Sequence, residues 1–152
     1  VNPTLDEVAA YAEAVPLSLV QLHGDEGPAF CAEVARRTGA QVIKAVAART
    51  AADVRGLDQF PTAFHLMDAH APDLRGGTGM TFEWSLVTTR SSQAPLIVSG
   101  GLTAENVGQA IAATHPFAVD VASGTEAAPG RKDPEKLDAF ASAVRAASEV
   151  AA

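Results

Sequence analysis

Cysteine and basic charge are scarce in this 152-residue sequence, and long apolar runs are missing from it. The single cysteine, Cys31, excludes an internal disulfide, and one thiol with four scattered histidines makes no metal-ligand spacing, so no metal is expected. Lys and Arg together number 11 against 18 Asp and Glu, a net charge of −7. Such a surface repels a phosphodiester backbone and argues against nucleic acid as a partner. No segment approaches the roughly 20 apolar residues that cross a bilayer. The opening VNPTLDE has neither the basic nor the apolar region of a secretory signal. The expected compartment is therefore the reducing cytoplasm, with no membrane partner. No low-complexity tract or Pro/Gly/Ser-rich linker divides the chain, so residues 1–152 read as one domain.

What is present is an alternation. Thr4 and Glu7 make a capping-box pattern, with Leu5, Val8, Ala9, Ala12 and Val15 at helical spacing. LSLVQL (17–22) reads as a buried strand. Asp25 and Pro28 open a helix with Phe30, Cys31, Val34 and Ala35 on its apolar face, and Gly39 stops it. Cys31 is on this reading a core residue. QVIKAV (41–46) is a second strand, Thr50 opens a short helix, and TAFHLMDA (62–69) is a third strand. A short helix at FEWSLVTT (82–89), a strand at APLIVSGG (94–101), a helix at TAENVGQAIAAT (103–114) and a strand at PFAVDV (116–121) follow. Asp133 and Pro134 start a last helix, with Leu137, Phe140, Ala141, Val144 and Ala147 as its buried stripe. Continuous apolar strands separated by helices argue an α/β class with a helix-covered parallel sheet. Five strands at roughly 25-residue spacing fit part of a TIM (β/α)8 barrel, whose eight units need about 200 residues.

In such folds ligands gather at the carboxyl ends of the strands, and the polar residues collect there. Gln21 and His23 end the first strand, Lys44 lies in the second and Asp68 ends the third. Ser99-Gly100-Gly101 follow the fourth, and Asp120 and Ser123-Gly124 surround the end of the fifth. Glycine turns after two consecutive strands suit a phosphate held by backbone N–H groups, because glycine lets the chain approach the anion. Asp68 is either a proton donor or a residue that caps a loop or pairs with Lys44 or Arg75. His23 is a proton carrier, a ligand contact or a loop hydrogen-bonder. Asp120, inside an apolar strand, needs a partner or a purpose. His65, His70 and His115 read as structural.

Together these motifs resemble the phosphoribosylanthranilate isomerase family. The matching segments, in the family's order, are VQLHGDE (20–26), IKAV (43–46), LMDA (66–69), GGTGMTFEW (76–84), SGGLTAENV (99–107), FAVDVASGTE (117–126) and AAPGRKDPEKL (127–137). The resemblance implies an Amadori rearrangement in tryptophan biosynthesis, without cofactor or metal. N-(5-phosphoribosyl)anthranilate, the phosphosugar substrate, becomes 1-(2-carboxyphenylamino)-1-deoxyribulose 5-phosphate. The resemblance also implies Asp68 as general acid, Gly100, Gly101, Ser123 and Gly124 as the phosphate-binding residues, and Gln21, His23 and Asp120 as substrate-binding residues.

Departures from the family pattern are of two kinds. Glu83 stands where FDW is usual, and Ala122 replaces a serine of VDVSSG. More substantially, the family's general base is a cysteine in a KICG-like segment on the first strand, and an arginine near the second strand holds the anthranilate carboxylate. Neither segment occurs in this sequence, and Cys31, on a helix face, does not replace the base. The expectation is thus the C-terminal part of the barrel, inactive by itself and prone to self-association or to complementation by an N-terminal fragment. Two alternatives stay open: a non-catalytic phosphate-binding half-barrel module, and another phosphosugar-binding barrel enzyme. The VQLHGDE and FEW segments argue against the latter.

Overall fold

Thr4 begins the first helix, as its spacing predicts. A computed structural model of the chain describes residues 1–69 and 84–151. In it α1 (Leu5–Ala14) opens on a complete capping box, in which the Thr4 side chain accepts from the Glu7 amide and Glu7 accepts from the Thr4 amide. Then come β1 (Leu19–Leu22), α2 (Pro28–Thr38), β2 (Gln41–Ala47), α3 (Ala51–Gly56), β3 (Phe64–Asp68), β4 (Leu96–Ser99), α4 (Val107–Thr114) and β5 (Ala118–Val119). A short hairpin, β6 (Glu126–Ala128) and β7 (Arg131–Lys132), leads into α5 (Pro134–Ala151). Turns of 3₁₀ helix occupy Leu57–Gln59, Trp84–Thr89 and Ser123–Thr125. His70, Arg75, Glu83 and all of GGTGMTFEW except Trp84 lie outside the described residues.

Strands β1 to β5 form one sheet in sequence order, each neighbouring pair parallel. Side chains alternate between faces along a strand, so the register sorts the residues into two sets. One face carries Gln21, Ile43 and Phe64 in one row and Ala45, Leu66, Ile97 and Ala118 in the next. Ala47, Asp68 and Ser99 complete this face at the carboxyl end. The other face carries Leu22, Lys44, His65 and Leu96, then Val46, Met67, Val98 and Val119.

Helices cover the second face. Val8, Leu22, Cys31, Val34, Val42 and Phe60 make one buried cluster, and Ala48, Val54, Met67, Leu96 and Val98 another. A third joins Leu102, Val107, Ala110 and Ile111 to Phe140 of α5. Each fully enclosed Val, Leu or Met contributes on the order of 1.5–3 kcal/mol, so the helix-facing side dominates stability. Cys31 is buried in the first cluster, as its helix-face position predicts.

Several boundaries differ from the sequence expectation. Only Leu22 of β1 is buried; the strand forms one margin of the sheet, and Leu19 remains exposed. Strand β5 is two residues long, so Asp120 lies just past its end, exposed, rather than inside an apolar strand. Residues 103–106 are a turn and α4 starts at Val107, because Asn106 bonds to nearby backbone groups that a helix would use differently. Gly27, not Asp25, caps α2. On α5, Leu137 is exposed, and Ala143 joins Phe140, Val144 and Ala147 on the packed side.

Candidate active site

The carboxyl ends of β3, β4 and β5 open on one cleft of about 200 Å³. Asp68, Gly100, Gly101, Asp120, Ser123 and Gly124, six of the residues expected at the site, line it together with Ser99. Gly100 (φ 91°) and Gly101 (φ 63°) turn the chain sharply after β4 through backbone conformations that cost an L-residue about 1–2 kcal/mol. Asn106 fixes the turn: its Nδ2 donates to the Gly101 carbonyl (3.0 Å) and its Oδ1 accepts from the Thr103 amide (2.8 Å). A Cβ on Gly124 would collide with the carbonyl oxygen of Leu102. The loops after β4 and β5 are therefore in direct contact.

Both carboxylates of the cleft have neighbours. Ser99 Oγ donates to Asp120 Oδ2 at 2.9 Å, although Asp120, exposed past the end of β5, does not need a partner as it would inside an apolar strand. His23 Nε2 lies 3.7 Å from Asp68 Oδ2, with both side chains partly open to solvent. Gln21 is on the same sheet face as Asp68 but in the Ile43–Phe64 row, deeper along the strands, and does not line the cleft.

Lys44 does not pair with Asp68. It sits in the His65 row on the helix-facing side, whereas Asp68 belongs to the opposite face. Its ammonium donates to the Gly24 carbonyl (2.7 Å) and to Glu26 Oε2 (2.9 Å), and lies 5.4 Å from the centre of the Phe60 ring. Glu26 also accepts the amides of Asn2 and Gly24, each at 2.8 Å. Burial pushes the Glu26 carboxyl up, but Lys44 and these amides outweigh it and hold the group well below the usual carboxylate range. This buried pair ties down the loop that carries His23. Neither Glu26 nor Asn106 stood out in the sequence, although both lie inside the segments VQLHGDE and SGGLTAENV.

Two other titratable groups have no place in the cleft. His65 is fully buried, with Nε2 2.9 Å from the Phe60 carbonyl and Nδ1 accepting from Arg90 Nε at 3.4 Å. Burial lowers its pKa, and its role is structural, as expected. Cys31 lies across the sheet from Asp68, and burial pushes its thiol up. A thiol so placed is a poor base or nucleophile.

Comparison with known proteins agrees with the motif reading. The family model for N-(5'phosphoribosyl)anthranilate (PRA) isomerase matches residues 1–143. The N-(5'-phosphoribosyl)anthranilate isomerase of Citrifermentans bemidjiense is 44% identical over 137 residues, covering 90% of this chain. This chain spans only 65% of the length of that relative. The crystal structure of phosphoribosyl anthranilate isomerase from Thermotoga maritima superposes with a TM-score of 0.80 at 38% identity, over 96% of this chain and 70% of that one. A crystal structure of the isomerase in complex with reduced 1-(o-carboxyphenylamino)-1-deoxyribulose 5-phosphate gives 0.75 at 34% identity, over 95% and 68%. The α/β class and the helix-flanked parallel sheet are those of a (β/α)8 barrel, represented among the described residues by five parallel strands. By the family model and by its relatives alike, the chain belongs to the N-(5'-phosphoribosyl)anthranilate isomerase family.

Proposed function

We propose that this chain carries the proton-donating and phosphate-binding parts of an N-(5'-phosphoribosyl)anthranilate isomerase site. One observation carries the reading: Asp68 and both glycine turns line the same cleft at the carboxyl end of the sheet. A 5-phosphate seated on Gly100–Gly101 and Ser123–Gly124 leaves the ribose beside Asp68. Backbone N–H groups of such turns recognise phosphate without a cationic side chain.

The chemistry then follows as an isomerisation with no net change of composition. Asp68 gives its proton to the furanose ring oxygen, and the bond from that oxygen to C1 breaks. The anthranilate nitrogen donates its lone pair to C1, leaving an open-chain iminium. A base removes the C2 proton to give the enolamine, which tautomerises to the aminoketone. His23 stands beside Asp68, where it can donate to the carboxylate left after proton transfer. Asp120, oriented by Ser99, faces the sugar hydroxyls as an acceptor. By the family resemblance the base is a cysteine on a KICG-like strand, a segment not found in this sequence. Cys31, buried on the far side of the sheet, does not serve.

The test is an isomerase assay on the full-length protein, with the reduced product analogue as inhibitor. Turnover of N-(5-phosphoribosyl)anthranilate, inhibited competitively, is the expected result. A folded protein that neither turns the substrate over nor binds the analogue would overturn the reading.

A further inference from the structure

The segment AAPGRKDPEKL (127–137) lies beyond the last strand of the sheet, and the chemistry above makes no use of it. The geometry points to Lys132 as a positioning residue for the phosphate-binding turn at Ser123–Gly124, acting from behind the turn without touching the substrate. This rests on the phosphate placement given above.

The hairpin folds back so that Glu126 of β6 pairs with Lys132 of β7. Lys132 Nζ thereby reaches the Ala122 carbonyl at 2.6 Å and Thr125 Oγ1 at 3.1 Å, the residues that bracket Ser123 and Gly124. The Ala122 carbonyl also accepts the Thr125 amide (3.3 Å) and hydroxyl (3.1 Å), so three donors converge on one oxygen. Thr125 is fully buried, and its own carbonyl accepts the Asp133 amide at 2.9 Å. Lys136 Nζ holds the Glu126 carbonyl at 2.7 Å.

Two consequences follow for anion binding. The Ala122 carbonyl and the Ser123 N–H belong to the same peptide group, so a cation on that oxygen polarises the group and strengthens the N–H as a donor. Charge is the second. The described residues lining the cleft include the carboxylates of Asp68 and Asp120 and no Lys or Arg. Lys132 brings a positive charge to the back of the turn, shared with Glu126 Oε1 at 3.6 Å, and offsets part of that negative field. Its side chain is 44% exposed, so it adds little to the core; it also holds the hairpin, so stability is read alongside binding.

The experiment compares Lys132→Met, Lys132→Arg and Gly101→Val with the parent in the full-length protein. Inorganic phosphate binding is measured by calorimetry, kcat and KM are measured separately, and thermal unfolding is recorded. Loss of a charge-assisted hydrogen bond to the turn corresponds to about a tenfold weakening. Lys132→Met should therefore raise the phosphate Kd and the KM about tenfold with kcat little changed, and Lys132→Arg should recover most of the loss. Gly101→Val, which puts a β-branched side chain on a left-handed residue of the cleft-lining turn, should weaken phosphate binding whatever Lys132 does. If Gly101→Val weakens phosphate and Lys132→Met does not, the inference fails while the phosphate site stands. If Lys132→Met lowers the unfolding midpoint and kcat with KM unchanged, Lys132 is a brace of the hairpin and the inference also fails. If neither variant alters phosphate affinity, the phosphate placement fails, and the inference with it.

Discussion

Asp68 faces the cleft and Lys44 does not because the register of a parallel sheet assigns each residue to one face. Lys44 lies beside His65, three residues before Asp68 and of opposite parity. This keeps the ammonium away from the carboxyl group proposed as the proton donor. Asp68→Asn retains the size of the side chain and removes that proton. In steady-state kinetics on the full-length protein, kcat should fall about 10²-fold or more, with a smaller change in KM. Near-normal turnover would take Asp68 out of the mechanism. The glycine turns at the cleft were readable from the sequence because their cause is local: a turn after a strand needs backbone freedom. The partner of Lys44 was not readable. Glu26 is 18 residues away, on the β1–α2 loop, and no spacing rule joins it to Lys44 in β2.

At the scale of elements, one buried ion pair ties the β1–α2 loop to β2. Removing one member of a buried ion pair leaves the other charge without compensation, at a cost of about 3–5 kcal/mol, whereas replacing both by apolar side chains is often near neutral. Lys44→Met alone should therefore destabilise the protein strongly in urea unfolding. Lys44→Met with Glu26→Leu should recover much of the loss while leaving the His23 loop without its tie. A double variant whose loss equals the sum of the losses from Lys44→Met and Glu26→Leu taken singly would mean that the pair is not coupled. Strands β2, β3 and β4 were legible because helices bury one of their faces and their sequences are largely apolar. The apolar runs at the two margins were read as equally buried, yet β1 keeps Leu19 exposed and β5 shrinks to two residues. Apolar composition marks a strand without marking how much of it is covered. The hairpin β6–β7 escaped notice for a different reason. It has no alternation, and the side chains of Lys132 and Lys136 hold it through backbone carbonyls.

For the whole molecule, acid is the condition that probes the fold. Burial depresses the His65 pKa, so the unfolded chain takes up a proton before the folded one does. The stability from neutral His65 is complete above the ordinary histidine value of about 6.5 and declines as pH falls from there toward the lower folded value. Glu26 acts lower down: its contribution is complete above about 4.3 and is lost as pH falls through its depressed folded value. The thermal midpoint of the full-length protein should therefore decline from pH 7 toward 5 in a first stage. His65→Gln should flatten that stage and leave the lower one in place. An unchanged profile in the variant would assign the first stage to other groups. The contact between Gly124 and the Leu102 carbonyl has a consequence for redesign. A loop grafted after β4 from another barrel has to leave its backbone where Leu102 leaves it, or the facing turn loses its seat. The two loops are thus one cassette, and an exchange that aims at a new phosphorylated ligand has to carry both.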